Sequence, residues 1–184
     1  MRKSQFILVS QLKEKLQEFP IIVSSLEKKD PHFVDKTMHW LKTSEDIFST
    51  YNISEVSELA GFRSKIIAAR MAEGRGTNIK KNQVKAASGI LYDIQNTVLA
   101  VLIPYEKKIT ECREIVKQLL VLTAQTHTQI YDQSMPFEDF IRKIWLYILS
   151  DNDLKMGAVR LKSSLSEMDI LMLMGDEIEV SDFT

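Results

Sequence analysis

The sequence predicts an all-α fold, a helical bundle of about six to seven helices. Three observations predict it. Only six glycines and four prolines occur in 184 residues. No stretch sustains the apolar–polar alternation of period two that a half-buried strand needs. The apolar residues recur instead at spacings of three and four, which lays a stripe along one side of a helix.

Each element follows from that spacing. Phe6, Val9, Leu12, Leu16 and Phe19 fall on one helical face. Pro20 is expected to end this first helix, because it lacks an N–H and its ring crowds the carbonyl four residues back. A short second helix is expected over "IIVSSLEKK", closing at Asp30, since the residue before a proline is pushed out of the helical region. Pro31 suits the first turn of a third helix carrying Val34, Met38, Leu41 and Phe48. "YNIS" then breaks the pattern. Ser54, with Ser57 and Glu58 nearby, opens a fourth helix that carries Val56, Leu59, Phe62 and Ile66 to about Ala72.

The segment from about 79 to 128 predicts one long amphipathic helix with a proline kink. Val84, Ala87, Leu91, Ile94, Val98, Val101 and Tyr105 alternate at three and four, and Ile109, Cys112, Val116 and Leu119 resume the stripe after one extra step of four. That stutter sits beside Pro104. Pro104 removes a hydrogen bond and crowds the carbonyl of Ala100, at about 3 kcal/mol, so a kink or break is expected there. Unbroken, such a helix reaches about 70 Å, whereas a compact chain of this size has a radius of gyration of about 16 Å. Two geometries follow: a helix folded back near Pro104, or an elongated molecule that calls for a partner.

Phe137, Ile141, Ile144 and Ile148 mark the next helix. "SDND" supplies N-cap chemistry for a last one, in which Leu154, Ala158, Leu161, Leu165, Met168 and Met172 repeat at four and three, with Gly175 as its C-cap. The expected organisation is a single helical domain over 1–174 and an acidic C-terminal tail over 175–184.

At 45% hydrophobic content the chain is able to bury a core. Its one cysteine, Cys112, cannot form an intramolecular disulfide, and a cytoplasmic setting is expected. The early apolar run "FILV" is too short for an export signal, which needs roughly 7–15 apolar residues. "TVLAVLIPY" falls short of the roughly 20 that cross a bilayer. Neither a membrane partner nor a membrane span is expected.

Charge is unevenly spread, although the net value is −1. Residues 63–85 hold Arg63, Lys65, Arg70, Arg75, Lys80, Lys81 and Lys85 against the single Glu73. Residues 163–184 hold Glu167, Asp169, Asp176, Glu177, Glu179 and Asp182 with no base. The loop "GRGTN" is neither a Walker A loop nor a GxGxxG turn, for it lacks both the preceding strand and the required following residues. It does precede a helix start, where free N–H groups favour an anion. Arg63, Arg70, Arg75, Lys80, Lys81 and Lys85 are therefore the candidate phosphate or nucleic-acid contacts. The competing reading is a solvated loop, because no base-stacking aromatic lies within 63–91. In the tail, Ile178, Val180 and Phe183 interleave with acids and form a candidate partner-docking motif. A frayed end, or a tail lying on the 63–85 surface, are the other two readings.

Catalytic groups do not converge. His32, His39 and His127 belong to no Glu-x-x-His pair and no HExxH. The Arg, four residues, His pattern of one class of all-helical ribonucleases is absent, since Glu27, Val34 and Leu122 stand five before the histidines. Asp35 and His39 read as a surface pair. Cys112 reads as a buried structural thiol, and Trp40 and Trp145 as core or interface anchors. The methionines of "MDILMLM" read as core, though Met-rich faces also suit adaptable protein binding. No catalytic residue, metal site or cofactor is assigned. The leading expectation is a non-enzymatic adaptor or scaffold that associates with a protein partner or with itself. The alternative is an accessory nucleic-acid-binding subunit using 63–85.

Overall fold

The computed structural model describes residues 3–71, 79–132 and 134–183. Among them the chain is an all-α bundle, 83% helical and without a strand. The helices are α1 (Gln5–Glu27), α2 (Phe33–Tyr51), α3 (Val56–Met71), α4 (Ile79–Gly89), α5 (Leu91–Gln125), α6 (Phe137–Ser150), α7 (Lys155–Ser164) and α8 (Glu167–Glu177), with a 3-10 turn at Val180–Phe183. Helices α4 and α5 form one long helix bent by 37°. Contacts gather into two compact units, Ile7–Pro104 and Met1–Phe6 with Tyr105–Thr184. This division differs from the expected 1–174 core and 175–184 tail.

In the unit 7–104, α1 does not stop at Pro20 but runs on to Glu27. The proline is exposed, whereas Leu12, Phe19 and Ile22 are buried. On the outer side of a helix a proline bends the axis away from itself and leaves the freed carbonyl to solvent, so the apolar stripe continues beneath it. The short helix expected over 21–29 is thus the last part of α1. Lys29, at φ 53°, turns the chain out of the helix, and Asp30 N–H closes it on the Ser25 carbonyl at 2.9 Å. The Trp40 indole N–H of α2 donates to the Lys15 carbonyl at 2.9 Å, and its ring meets Phe19 edge-on at 5.4 Å. The "YNIS" break is a left-handed cap at Asn52, with Ile53 N–H donating to the Phe48 carbonyl at 2.9 Å.

The long helix departs from regularity at Ile90, between α4 and α5. There Ile90 N–H reaches back only to Ala87, at 3.4 Å, beside a Ser88–Gly89 pair of the kind that accompanies helix kinks. Helix α5 continues through Pro104. Pro104 and Ala100 are both exposed, so solvent can take the carbonyl that the proline leaves unpaired. The stutter marks a handover. Ile94, Val98 and Val101 are buried ahead of it in one unit; Ile109, Cys112, Val116 and Leu119 are buried after it in the other.

By length and composition alone the stretch Ile79–Gln125 is long and apolar enough to cross a membrane, with a window of mean hydropathy 1.4 that no run of nine residues reveals. That window is 44% buried within the protein, and a helix packed along one face has the same length and composition.

The second unit packs α6, α7, α8 and the end of α5. Helix α7 lies close on α5, for a Cβ on Gly157 would stand 2.8 Å from Leu119 Cδ2. The single last helix expected from Leu154 to Met172 is two helices, because Leu165 and Ser166 are extended and Ser166 caps α8. The turn re-phases the pattern: Ile170, Leu173 and Met174 are buried, while Met168 and Met172 are 59% and 42% exposed. Gly175 is no C-cap, since α8 continues to Glu177 and is closed by Ile178 N–H on the Met174 carbonyl at 3.0 Å.

Candidate protein-docking groove

Helices α6 and α8 are held from behind. Phe140, Ile144 and Ile148 of α6 and Ile170, Leu173 and Met174 of α8 are all buried. The carboxylate of Asp169, itself buried, fixes the start of α8. It accepts Ser166 Oγ at 2.8 Å, Gln5 N–H at 3.0 Å and Ser4 Oγ, while Asp169 N–H donates to Ser166 Oγ at 3.2 Å. Ser166 and Asp169 thus share a reciprocal capping contact, and the same carboxylate also caps the first turn of α1.

The tail closes the other end. Phe183 is buried with its ring edge-on to Phe140 at 5.6 Å, Tyr131 stands edge-on to Phe140 at 4.9 Å, and Tyr131 N–H donates to the Phe183 carbonyl at 2.8 Å. Ile178 is buried and Val180 half-buried. Of the expected partner-docking residues Ile178, Val180 and Phe183, the structure places Ile178 and Phe183 in the interior of their own unit. Two acids of the tail, Asp176 and Glu177, meet α5. Arg113 pairs with Glu177 and lies 3.6 Å from Asp176, and Lys117 lies 3.7 Å from Glu177.

With its back and ends fixed, the front of the α6–α8 pair is a groove of about 620 Å³. One wall is Phe137, Glu138, Ile141 and Arg142; the other is Glu167, Met168, Leu171, Met172, Gly175 and Asp176. Both walls repeat at i, i+1, i+4 and i+5, as facing helix ridges must. Gly175 narrows one end, where a Cβ would come within 3.2 Å of Ile141 Cδ1. The floor is apolar and the rim holds three carboxylates against one guanidinium. Such a surface desolvates an amphipathic helix and orients it by charge.

The basic segment is less convergent than its sequence. Arg63 donates to Glu45 Oε1 at 2.7 Å, and Glu45 is buried, so this guanidinium is held against the fold. Lys65 sits over the Phe62 ring at 5.2 Å and, with Asn82 and Lys85, lines one depression of about 430 Å³. Arg70 and Lys80 line another of about 520 Å³ that includes Asp35. Lys81 is exposed on α4. Arg75 and "GRGTN" lie outside the described residues.

Among the described residues no group of three or more His, Cys, Asp or Glu stands together as a metal site. Burial pushes the Cys112 thiol up. The histidine beside Asp35 is His32, at 3.7 Å on the surface.

The groove residues Met168 and Met172 were hidden by the apparent stripe from Leu154 onward. Ser166 followed by Asp169 three residues later is a helix-start signature, and it marks the re-phasing that exposes them. Comparison with protein-family models, with curated proteins and with solved structures finds no match to the chain.

Proposed function

We propose that the chain is a non-enzymatic helical adaptor or scaffold subunit of the cytoplasm that acts by protein–protein association, self-association included. The observation that carries this reading is the apolar, acid-rimmed groove between α6 and α8, with Met168 and Met172 at its surface. Unbranched methionine side chains adapt to the shape of an entering helix. The test is a photo-activatable residue at Met172, with a control at the exposed Gln17 of α1, irradiated in the native cell. Protein adducts at Met172 that the control lacks are expected. Equal labelling at both positions, or none, would overturn the reading.

The alternative, nucleic-acid binding through 63–85, has less behind it because Lys65 and Lys85 line one depression, Arg70 and Lys80 line another, and Arg63 is held by the buried Glu45. It calls for affinity for a labelled oligonucleotide that falls steeply with salt and is lost in the Lys80→Glu, Lys81→Glu double variant. Unchanged binding in that variant would sink it.

A further inference from the structure

One exposed helix face on this chain matches the groove in length and charge. Helix α7 turns Ala158 and Leu161 inward and leaves Met156 and Val159 75% and 53% exposed. The two are three residues apart, so they share one side of the helix. Around them stand Lys155, Arg160 and Lys162, with no acid in the helix. Ten residues make α7 about 15 Å long, and the α8 wall from Glu167 to Asp176 runs about 14 Å.

We propose that the α6–α8 groove receives the Met156–Val159 face of α7 from a second copy of this chain, so that copies join head to tail. This rests on the protein-association reading and names its partner. Met156 and Val159 enter between Phe137 and Met172, while Lys155 and Arg160 meet Glu138 and Glu167 at the rim. Asp176 contributes less, being shared with Arg113 at 3.6 Å. The backbone of the presented face is already folded, with Gly157 seating α7 closely on Leu119. Little ordering is then lost on docking. A net charge of −1 adds almost no repulsion between copies.

The two surfaces differ, so the contact is heterologous. Each copy keeps an unfilled groove at one end and an unused α7 at the other, and growth continues until a ring closes or the chain of copies ends.

The experiment is light scattering on the full chain over a concentration series at low and high salt. The wild type is expected to pass beyond a dimer, less so at high salt. Glu167→Lys and Arg160→Glu alter exposed side chains, and circular dichroism verifies that each variant folds. Each alone is expected to weaken association about fivefold, because like charges then face each other at every contact. Mixing the two variants restores opposite charges. The groove changed by Glu167→Lys accepts the helix changed by Arg160→Glu, and the unchanged groove of the second variant accepts the unchanged helix of the first. The mixture therefore regains growth, with the two variants in alternation, and so does a chain that carries both changes. Growth unaffected by either variant, or a mixture no larger than its components alone, would overturn the proposal. So would a wild type that stays monomeric; if the Met172 probe still gives adducts with another protein, the adaptor reading stands and only self-docking falls.

Discussion

Asp169 offers the sharpest test of how the groove is held. Its buried carboxylate accepts from Ser4 Oγ, Gln5 N–H and Ser166 Oγ. A hydrogen bond to a charged acceptor contributes about 1.5–3 kcal/mol, so three would sum to several kcal/mol if independent. They are not independent. The two hydroxyls can turn to other acceptors, and Ser4 and Gln5 are only half-buried. The loss that remains is one capped N–H on α1, the reciprocal contact at α8 and the cavity, about 2–4 kcal/mol for Asp169→Ala. Asp169→Asn keeps one oxygen and is expected to cost about half as much. The assay is urea unfolding followed by tryptophan fluorescence in a Trp40→Phe background, because Trp145 then reports from the unit that contains Asp169. A shift below about 0.5 kcal/mol for Asp169→Ala would refute the reasoning and mean that water replaces the carboxylate at no cost.

Other expectations follow from the same unit and from the loops. Phe183→Ala removes a buried ring packed on Phe140 and should cost about 2–4 kcal/mol in the same fluorescence assay; no measurable loss would mean the tail is not docked. The Trp145 indole N–H is buried without a partner, so Trp145→Phe should cost less than its lost volume implies, about 1 kcal/mol by far-ultraviolet circular dichroism melts; a loss above about 3 kcal/mol would point to a missed partner. Asp30 is held below the usual carboxylate range by Lys36 and by His32 N–H, and Asp132 by the hydroxyl and N–H of Ser134. Both folded-state pKa values lie below the unfolded ones, so the stability these groups add is present above about pH 4 and is lost as pH falls through the folded values. Carboxyl carbon NMR titration checks this, and midpoints at or above ordinary values would refute it.

The helical class and most helix starts were legible because burial on one face imposes a three–four spacing at any point along the chain. Three kinds of feature were not. Pro20 looks like a stop, yet whether a proline stops a helix depends on which side it faces, and that is settled by the packing of Phe19 on Trp40. Met168 and Met172 continue a stripe by count, and only the extended pair Leu165–Ser166 moves them to the outside. The charge blocks read as two opposed surfaces, but Arg63 was matched to Glu45 and Glu177 to Arg113 by contacts far apart in sequence. A groove is a relation between two helices, and the sequence carries each wall without carrying their adjacency.

The bonds from Ser4 and Gln5 to Asp169 span 165 and 164 residues. On a translating ribosome the two donors emerge long before their acceptor, roughly 8–30 s earlier at about 5–20 residues per second. The helices of residues 7–104 have that interval to pack among themselves, whereas Gln5 N–H and Ser4 Oγ wait for the Asp169 carboxylate. The arrival of α8 is therefore the step that supplies the acceptor for Gln5 N–H, and a chain cut short before Asp169 would leave the ribosome with that bond unmade.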